Sequence, residues 1–241
     1  MGELSIHILG ETRDVMTCLQ MAAGTSIQFP KEDLKKLVLV EAHNPEISTK
    51  DLKDAKIGQY VMIKLTDDRE VRFDIVDKGR DWLRLDSYDC IGKSAWNKNG
   101  STEGDIRLSD LQKYVNGLEE LLPAEWRGAI APTIRYTEEY EGDNGETEEY
   151  LTRLFVPDAS EVFRPDPDWY ETRYDQLDFY KDRRNRMKAS EPGGTEMRIW
   201  WTASAISGNA TNSVYVNANG ISNYNYASSA FGVPVCFRIN L

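Results

Sequence analysis

Carboxylate side chains are the residues of this sequence with the clearest capacity for acid and base chemistry. Seven of them surround Asn144-Gly145, namely Glu138, Glu139, Glu141, Asp143, Glu146, Glu148 and Glu149, and Asp166 and Asp168 follow further along the chain. Two carboxyl groups facing each other across a cleft can hydrolyse a glycan, and clustered oxygens can bind calcium. Because the cluster lacks the alternating Asp spacing of a calcium loop, we favour a solvated hairpin tip. A carboxylate-dependent glycan-active enzyme remains the alternative.

Thiols and imidazoles offer little nucleophilic or metal chemistry. Cys18, Cys90 and Cys236 are widely spaced and odd in number, which disfavours a disulfide framework or a four-ligand zinc site. His7 and His43 are the only histidines, so a Ser-His-Asp triad or a histidine-rich metal site has few candidates. We interpret the cysteines as buried small apolar residues. The sequence therefore favours a protein that is not an enzyme, with no metal and no cofactor.

The segment 202–236 has the most unusual composition in the chain. It contains 35 consecutive residues without Asp, Glu, Lys or Arg, in a protein that is 29% charged. Between Ser207 and Ser229 lie six Asn, five Ser and three Tyr. Tyr supplies rigid contact area at small entropic cost, and Ser and Asn adapt their hydrogen bonds, as in the binding loops of antibodies. The predicted ligand-binding residues are Asn209, Asn212, Tyr215, Asn217, Asn219, Ser222, Asn223, Tyr224, Asn225 and Tyr226.

A purely structural interpretation of the same segment stays open. Val214-Tyr215-Val216 followed by Asn219-Gly220 is also typical of a plain hairpin that closes the domain. Trp200-Trp201 just before it could stack a sugar, but adjacent residues on a strand face opposite ways. At least one of that pair is therefore expected in the core.

Overall charge and hydrophobicity exclude several classes of partner. The 241-residue chain carries a net charge of −11, which disfavours binding to nucleic acid. No stretch approaches the ~20 apolar residues of a membrane helix, so membrane insertion is not expected. Met1-Gly2-Glu3-Leu4-Ser5-Ile6 lacks the basic start and apolar core of a signal peptide. We expect synthesis in the cytoplasm without export by that route.

Alternating and helical patterns predict the elements that would position these residues. Tyr60 to Leu65, a turn at Asp67-Asp68, and alternation from Val71 to Val76 predict an antiparallel hairpin, with a third strand at Trp82 to Leu85. Thr133 to Tyr140 and Glu148 to Val156 predict a second hairpin that turns at Asn144-Gly145. Residues 93–104 are expected to form a polar connection. Residues 1–52 show no long periodicity and predict only an N-terminal module of mixed secondary structure.

Two helices are predicted. Ser109 to Gln112 has the pattern of a capping box, and Leu111, Val115, Leu118 and Leu122 then share one helical face until Pro123. The second helix is expected from Trp169 to Ala189, ended by Glu191-Pro192-Gly193-Gly194.

A family resemblance extends over the C-terminal part of the chain. Its segments are Ile199-Trp200-Trp201-Thr202-Ala203-Ser204, Val214-Tyr215-Val216 to Gly220, Phe231-Gly232-Val233-Pro234-Val235, Ile57-Gly58-Gln59-Tyr60-Val61, Leu108 to Asn116, and Leu154 to Val162. In this order they resemble an uncharacterised domain family of Firmicutes and their phages, over residues 53–241. Thr202-Ala203-Ser204 replaces that family's Arg-Ser-Pro, and Val233-Pro234 omits its Arg.

The resemblance implies an α+β fold, a C-type-lectin-like antiparallel sheet with two flanking helices, similar to the formylglycine-generating-enzyme branch. On that fold the C-terminal strands and loops contact ligands. Phage tropism proteins diversified by retroelements use it, and their variable positions arise from adenine-rich codons that often yield Asn, Tyr and Ser. A diversified variable protein is therefore one hypothesis for this chain.

The expected organisation is an attachment or assembly module at residues 1–52 and a C-type-lectin-like domain at residues 53–241. The expected function is a non-enzymatic phage or prophage virion surface protein that recognises a receptor. Its partners would be a host cell-surface protein or glycan and other virion proteins, and it would act as a homo-oligomer. A purely structural virion decoration protein is the remaining alternative.

Overall fold

The structure is a computed structural model that describes residues 49–102, 106–137, 148–164, 166, 169–170 and 173–241. Apart from residues 49–52, the predicted N-terminal module lies outside the described residues. The turn at Asn144-Gly145, five carboxylates of its cluster (Glu138, Glu139, Glu141, Asp143 and Glu146), Asp168, Cys18 and both histidines also lie outside them. Residues 47–241 belong to one compact unit.

The described chain is mixed α+β, and its strands are mostly antiparallel. The strands are β1 Tyr60–Lys64, β2 Glu70–Lys78, β3 Trp82–Ser87, β4 Gly92–Ala95, β5 Ile130–Ala131, β6 Thr133–Tyr136, β7 Glu149–Thr152, β8 Leu154–Phe155, β9 Lys188–Ala189, β10 Met197–Arg198, β11 Trp200–Ala205, β12 Asn212–Val216, β13 Ser222–Tyr226, β14 Ala230–Val233 and β15 Cys236–Asn240. The α-helices are α1 Asp110–Gly117, α2 Ala124–Ala129, α3 Ala159–Val162 and α4 Asp178–Lys181. Short 3-10 helices span Thr49–Asp54, Ile106–Leu108, Leu118–Leu121 and Arg183–Arg186.

Two larger sheets organise these strands. The first has the order β1-β2-β3-β15-β5, with β8 also paired to β15. The second has the order β13-β12-β11-β14-β4, in which β11 and β14 run parallel. Two small antiparallel pairs, β6 with β7 and β9 with β10, complete the described strands. The general α+β prediction is thereby confirmed.

The predicted hairpins match the strands closely. β1 pairs with β2 and β2 with β3, both antiparallel. Asp68 adopts a φ of 70° in the turn between β1 and β2, a conformation that Asp tolerates better than most residues. β6 and β7 pair as expected, with Ile134 opposite Leu151. The expected polar connection at 93–104 is partly wrong, because β4 lies there and pairs with β14.

The first predicted helix forms, but its capping is only half of a capping box. The Ser109 hydroxyl oxygen accepts a hydrogen bond from the Gln112 backbone N–H at 2.9 Å. The Gln112 side chain does not reach back, because its amide donates to the Leu154 carbonyl oxygen at 2.8 Å. Helix α1 ends at Gly117 and continues as a 3-10 turn. The four leucine and valine positions of the predicted apolar face (Leu111, Val115, Leu118 and Leu122) are all buried.

The prediction of one helix from Trp169 to Ala189 is wrong. Helix α4 covers only Asp178–Lys181, a 3-10 turn follows at Arg183–Arg186, and β9 begins at Lys188. Asp182 is extended and accepts from the Arg184 backbone N–H, so it begins a new turn. The Arg186 side chain donates to the Tyr180 carbonyl oxygen at 2.6 Å. Side chains that bond nearby backbone groups in this way compete with a continuous helix.

Strand β11 separates two hydrophobic clusters. Trp201 packs in the larger cluster with the first sheet and α1, whereas Trp200 packs in the smaller cluster beside Tyr180 and Val214. Both tryptophans are fully buried. The alternation of a strand thus places both in the core, on opposite faces, and a sugar-stacking role for either is wrong.

Candidate functional site

The Asn/Tyr/Ser-rich segment folds as the hairpin β12–β13 at one end of the second sheet. The pairing is antiparallel, with Val214 opposite Tyr224 and Asn212 opposite Tyr226. Gly220 turns the hairpin with a φ of +72°, and an added Cβ would lie 2.6 Å from the Arg183 carbonyl oxygen. The turn therefore requires glycine at position 220 for two reasons: its positive φ and the close approach of the Arg183 carbonyl oxygen. The predicted hairpin is confirmed.

Strand β13 presents aromatic rings to solvent. Tyr224 is 47% and Tyr226 64% exposed. Residues two apart on a strand share a face, so the two rings stand side by side. The Trp169 ring meets the Tyr224 ring edge-on, with centroids 5.3 Å apart. We refer to Trp169, Tyr224 and Tyr226 as the recognition face, because the sequence predicts that this segment binds a ligand.

Trp169 was missed as a site residue in the sequence because it falls in the segment predicted to be one long helix. Its backbone carbonyl accepts the Ser207 N–H at 2.8 Å, which ties it to the loop before β12. Trp169 lies well before the charge-free segment in the sequence, and no sequence pattern indicates that the two are in contact. Only the tertiary fold brings them together.

The prediction that Tyr215 is an exposed ligand contact is wrong. Tyr215 is only 8% exposed, and its ring packs against Trp201 and Phe231 at centroid distances of 6.2 and 5.2 Å. In the hairpin, Tyr215 lies opposite Asn223, whereas Tyr224 lies opposite Val214. Because successive residues of a strand alternate between faces, Tyr215 and Tyr224 are on opposite faces of the sheet. Tyr215 therefore lies on the sheet face that contacts the larger core, and its role is packing.

Most asparagines of the segment accept hydrogen bonds from backbone N–H groups of nearby residues through their side-chain oxygens. The Asn209 side-chain oxygen accepts from the backbone of Thr211 and Asn212, and that of Asn217 accepts from Asn219 and Ile221. Such bonds fix turns. Part of the asparagine content is thus explained by folding, since the side-chain oxygens of Asn209 and Asn217 are engaged in these turns.

Asn223 and Asn225 are occupied in a similar way. Their side-chain oxygens accept the backbone N–H of Tyr224 and Tyr226, each at 2.8 Å. For Asn212, Asn219 and Ser222 no side-chain hydrogen bond is found within the described part of the chain. Asn212 lies opposite Tyr226 and shares its face, so it is the amide best placed beside the recognition face.

A buried ion network lies away from this surface, between the first sheet and α3. Glu161 accepts from Arg135 through both carboxylate oxygens, at 2.7 and 2.9 Å, and also from Arg84. Arg84 in turn donates to Asp86 at 2.9 Å, and the Tyr180 hydroxyl donates to Asp86 at 2.8 Å. Burial alone would raise the pKa of Glu161, but the two arginine charges outweigh it and hold that pKa at about 2.

These buried charges are paired, as a structural network requires. The Phe155 ring lies beside both guanidinium groups, 4.9 Å from Arg84 and 4.5 Å from Arg135. The Asp158 backbone N–H also donates to Glu161, within a capping box at α3. With its oxygens engaged by cations and a backbone donor, Glu161 is suited to holding α3 against the sheet rather than to transferring protons.

The described thiols are buried. Burial raises the pKa of Cys90 to about 12, and burial also raises the pKa of Cys236 well above its usual range. An added Cβ at Gly232 would lie 2.5 Å from the Cys90 sulfur. A thiol in such surroundings holds its proton at neutral pH and is a poor nucleophile.

Only some of the carboxylates considered for glycan chemistry, Glu148, Glu149 and Asp166, lie within the described residues. Within the described residues, Glu148 pairs with Arg107 at 2.9 Å and Glu149 accepts from the Tyr136 hydroxyl at 3.2 Å. In these ranges no three His, Cys, Asp or Glu side chains are grouped to hold a metal ion. No helix in the described chain has the length and apolar character to span a bilayer.

Comparison with protein families identifies a match. The model of a domain of unknown function, DUF6273, matches residues 80–241, which is more than half of the chain. The chain belongs to the DUF6273 family. The matched DUF6273 region begins just before β3 and contains the ion network, the whole β12–β13 hairpin and part of each hydrophobic cluster. No curated protein and no solved structure matches the sequence.

Proposed function

We propose that this DUF6273 protein is a non-enzymatic recognition protein that binds a neutral partner through its recognition face. The observation that carries the proposal is the exposure of Tyr224 and Tyr226 on a strand inside a 35-residue stretch without charges. Exposed aromatic side chains that lie together on one face are typical of contact surfaces, where Tyr is enriched. An unpaired charge buried at such a contact would cost desolvation energy, and none is present in the segment.

The finer fold assignment within this proposal is a C-type-lectin-like domain over residues 53–241. Support comes from the central position of the last strand, β15, between β3 and β5. The C-terminal hairpin β12–β13 then lies at the outer side of a second sheet, where loops can meet a ligand. A sheet of antiparallel strands with short helices on its flanks is compatible with this assignment.

The proposed setting is the surface of a phage or prophage virion, assembled in the cytoplasm, with a host cell-surface protein or glycan as the ligand. If the hairpin is diversified by a retroelement, the structure restricts the variable positions. Asn209, Asn217, Asn223 and Asn225 hold backbone groups, so variation there would remove bonds that shape the hairpin. Variation would be tolerated at Asn212, Asn219, Tyr224 and Tyr226.

Replacing both exposed tyrosines tests the proposal directly. In Y224A/Y226A we expect binding to weaken by about 30-fold, because a pair of interface hot spots contributes ~2 kcal/mol. Stability should fall only by about 1 kcal/mol, through loss of the Trp169–Tyr224 ring contact. The measurements are binding to an array of neutral glycans and to cell envelopes of the organism that carries the gene, beside thermal melting.

Tyr215→Ala is the matched control, since it removes the same side chain from the same hairpin. We expect it to cost about 3 kcal/mol or more of folding stability, because the ring is buried against Trp201 and Phe231. Y224A/Y226A that binds as tightly as the unaltered protein, at similar stability, would exclude a recognition role for this face. A severe stability loss in Y224A/Y226A would assign the two rings to the core.

Self-association is a further expectation of the proposal. Weak individual contacts multiply when several copies engage together, so a recognition protein of this kind should act as a homo-oligomer. Sedimentation velocity at micromolar concentration measures this. A monomer in solution, together with an absence of capsid or tail genes beside its own gene, would contradict the virion assignment.

A further inference from the structure

Among the described strands, β13 lies at one edge of the second sheet. Strand β12 pairs with its inner side, and no other described strand pairs with its outer side. At the opposite end of the sheet, β4 is packed against α1, where the Tyr114 hydroxyl lies over Gly92. An open edge normally exposes backbone N–H and C=O groups that can pair with a strand of another chain.

The register shows which groups of β13 point outward. Asn217 N–H donates to the Ile221 carbonyl oxygen, and Ala227 N–H donates to the Thr211 carbonyl oxygen. Because hydrogen-bonding residues alternate along an antiparallel pair, the odd-numbered residues of β13 face β12. The backbone N–H and C=O groups of Ser222, Tyr224 and Tyr226 therefore point away from it.

Three of these outward groups are already occupied. The Asn223 side-chain oxygen accepts the Tyr224 N–H, and the Asn225 side-chain oxygen accepts the Tyr226 N–H, each at 2.8 Å. The Tyr226 carbonyl oxygen accepts the Ser229 N–H at 2.9 Å. The two outward N–H donors next to the exposed rings are thus satisfied without a partner strand.

Charge does not protect this edge. Natural sheets commonly guard an open strand with lysine or another charged residue, and the segment 202–236 contains none. The sequence of β13, Ser-Asn-Tyr-Asn-Tyr, is uncharged and lacks proline. Such a strand is otherwise prone to pair with a second copy of itself.

We infer that Asn223 and Asn225 are edge-capping residues that close β13 to pairing with another strand, in particular with β13 of a second copy of this chain. Asparagine carries an acceptor of the right length without adding charge, so the two N–H donors beside the exposed rings are occupied while the segment stays neutral. A partner is then bound by side chains on the face of β13 and not by strand addition. This inference does not depend on which ligand the recognition face binds.

The test removes the caps. In N223A/N225A the Tyr224 and Tyr226 amides lose their acceptors, and at low protein concentration their hydrogen exchange should accelerate about fivefold, the fold-change of a hydrogen bond worth ~1 kcal/mol. At higher concentration, sedimentation velocity should show species larger than those of the unaltered protein. Exchange at the two amides should then slow again as the edges pair.

Two control variants separate capping from other effects. N223D/N225D keeps a side-chain oxygen at the same place, so its Tyr224 and Tyr226 amides should stay protected. Asn212→Ala removes an asparagine from the neighbouring strand without touching the edge, and it should behave in the same way. Circular dichroism and thermal melting verify that each variant is folded.

The inference is overturned if N223A/N225A is folded, exchanges at Tyr224 and Tyr226 like the unaltered protein and forms no larger species. If N223A/N225A does not fold, the same amides in the folded N223A and N225A single variants decide: each should lose protection only at the tyrosine that follows the replaced residue. If the Tyr224 and Tyr226 amides are as protected in both single variants as in the unaltered protein, the inference is overturned.

Discussion

A chain lacking residues 233–241 is expected to have no cooperative folding transition. The deletion removes β15, which pairs with β3 on one side and with β5 and β8 on the other. Phe237, fully buried, contacts the Phe73 and Trp126 rings at centroid distances of 5.2 and 6.4 Å. Without the strand, the first sheet is split and its core is open to water, a loss comparable to the whole ~5–15 kcal/mol that stabilises a typical domain.

The measurement is thermal melting followed by circular dichroism, together with hydrogen exchange. Asn240→Ala is the control, because Asn240 is an exposed residue of the same strand and its replacement should change stability by less than about 0.5 kcal/mol. A soluble, cooperatively melting truncated protein would show that β15 is an appendage of the sheet and not its centre.

Local patterns in the sequence were sufficient for elements whose stability is decided by their own residues. The hairpin β1–β2 follows from alternation and an Asp-Asp turn, and α1 follows from the Ser109 cap and one apolar face. In the terminal strand, β15, Phe237 and Ile239 are buried on one face and Cys236 is buried on the other. The cause is that α4 covers that face, with Tyr180 beside Asp86.

Features that depend on tertiary partners were not predictable from the sequence. The segment from Trp169 to Ala189 has helical spacing of aromatic residues, but polar side chains divert its backbone into short turns. The pairing of Arg84 and Arg135 on Glu161 joins residues 77 and 26 positions apart, and no spacing rule indicates it. For the recognition face, composition located β13 but could not tell buried Tyr215 from exposed Tyr224.

The same limit explains the asparagines. An Asn-rich composition fits both ligand contacts and turns, because the side chain bonds a ligand and its own backbone equally well. The structure divides the set by register, with Asn209 and Asn217 in turns and Asn223 and Asn225 along the edge. The asparagines of this hairpin therefore keep the segment uncharged and stabilise its fold at the same time.

Removing the centre of the buried ion network is expected to have the second largest effect on stability. In Glu161→Ala, Arg84 and Arg135 lose their shared carboxylate while remaining buried, and breaking one partner of such a network costs about 3–5 kcal/mol. Glu148→Gln is the matched control, because the Glu148–Arg107 pair is exposed and should contribute less than about 1 kcal/mol. Chemical denaturation at neutral pH measures both; equal effects would mean that the network is not a structural centre.

Acid titration distinguishes the charge of Glu161 from its shape. Its folded pKa of about 2 lies below the ordinary value of 4.5, so its contribution to stability is complete above pH 4.5 and is lost as the pH falls towards 2. Burial raises the pKa of Asp74, which acts in the opposite direction and partly offsets the loss. In Glu161→Gln the group cannot titrate, so the free energy of unfolding should vary less between pH 4.5 and 2 than in the unaltered protein. Parallel pH profiles for the two proteins would mean that Glu161 is not held as a carboxylate by the two arginines.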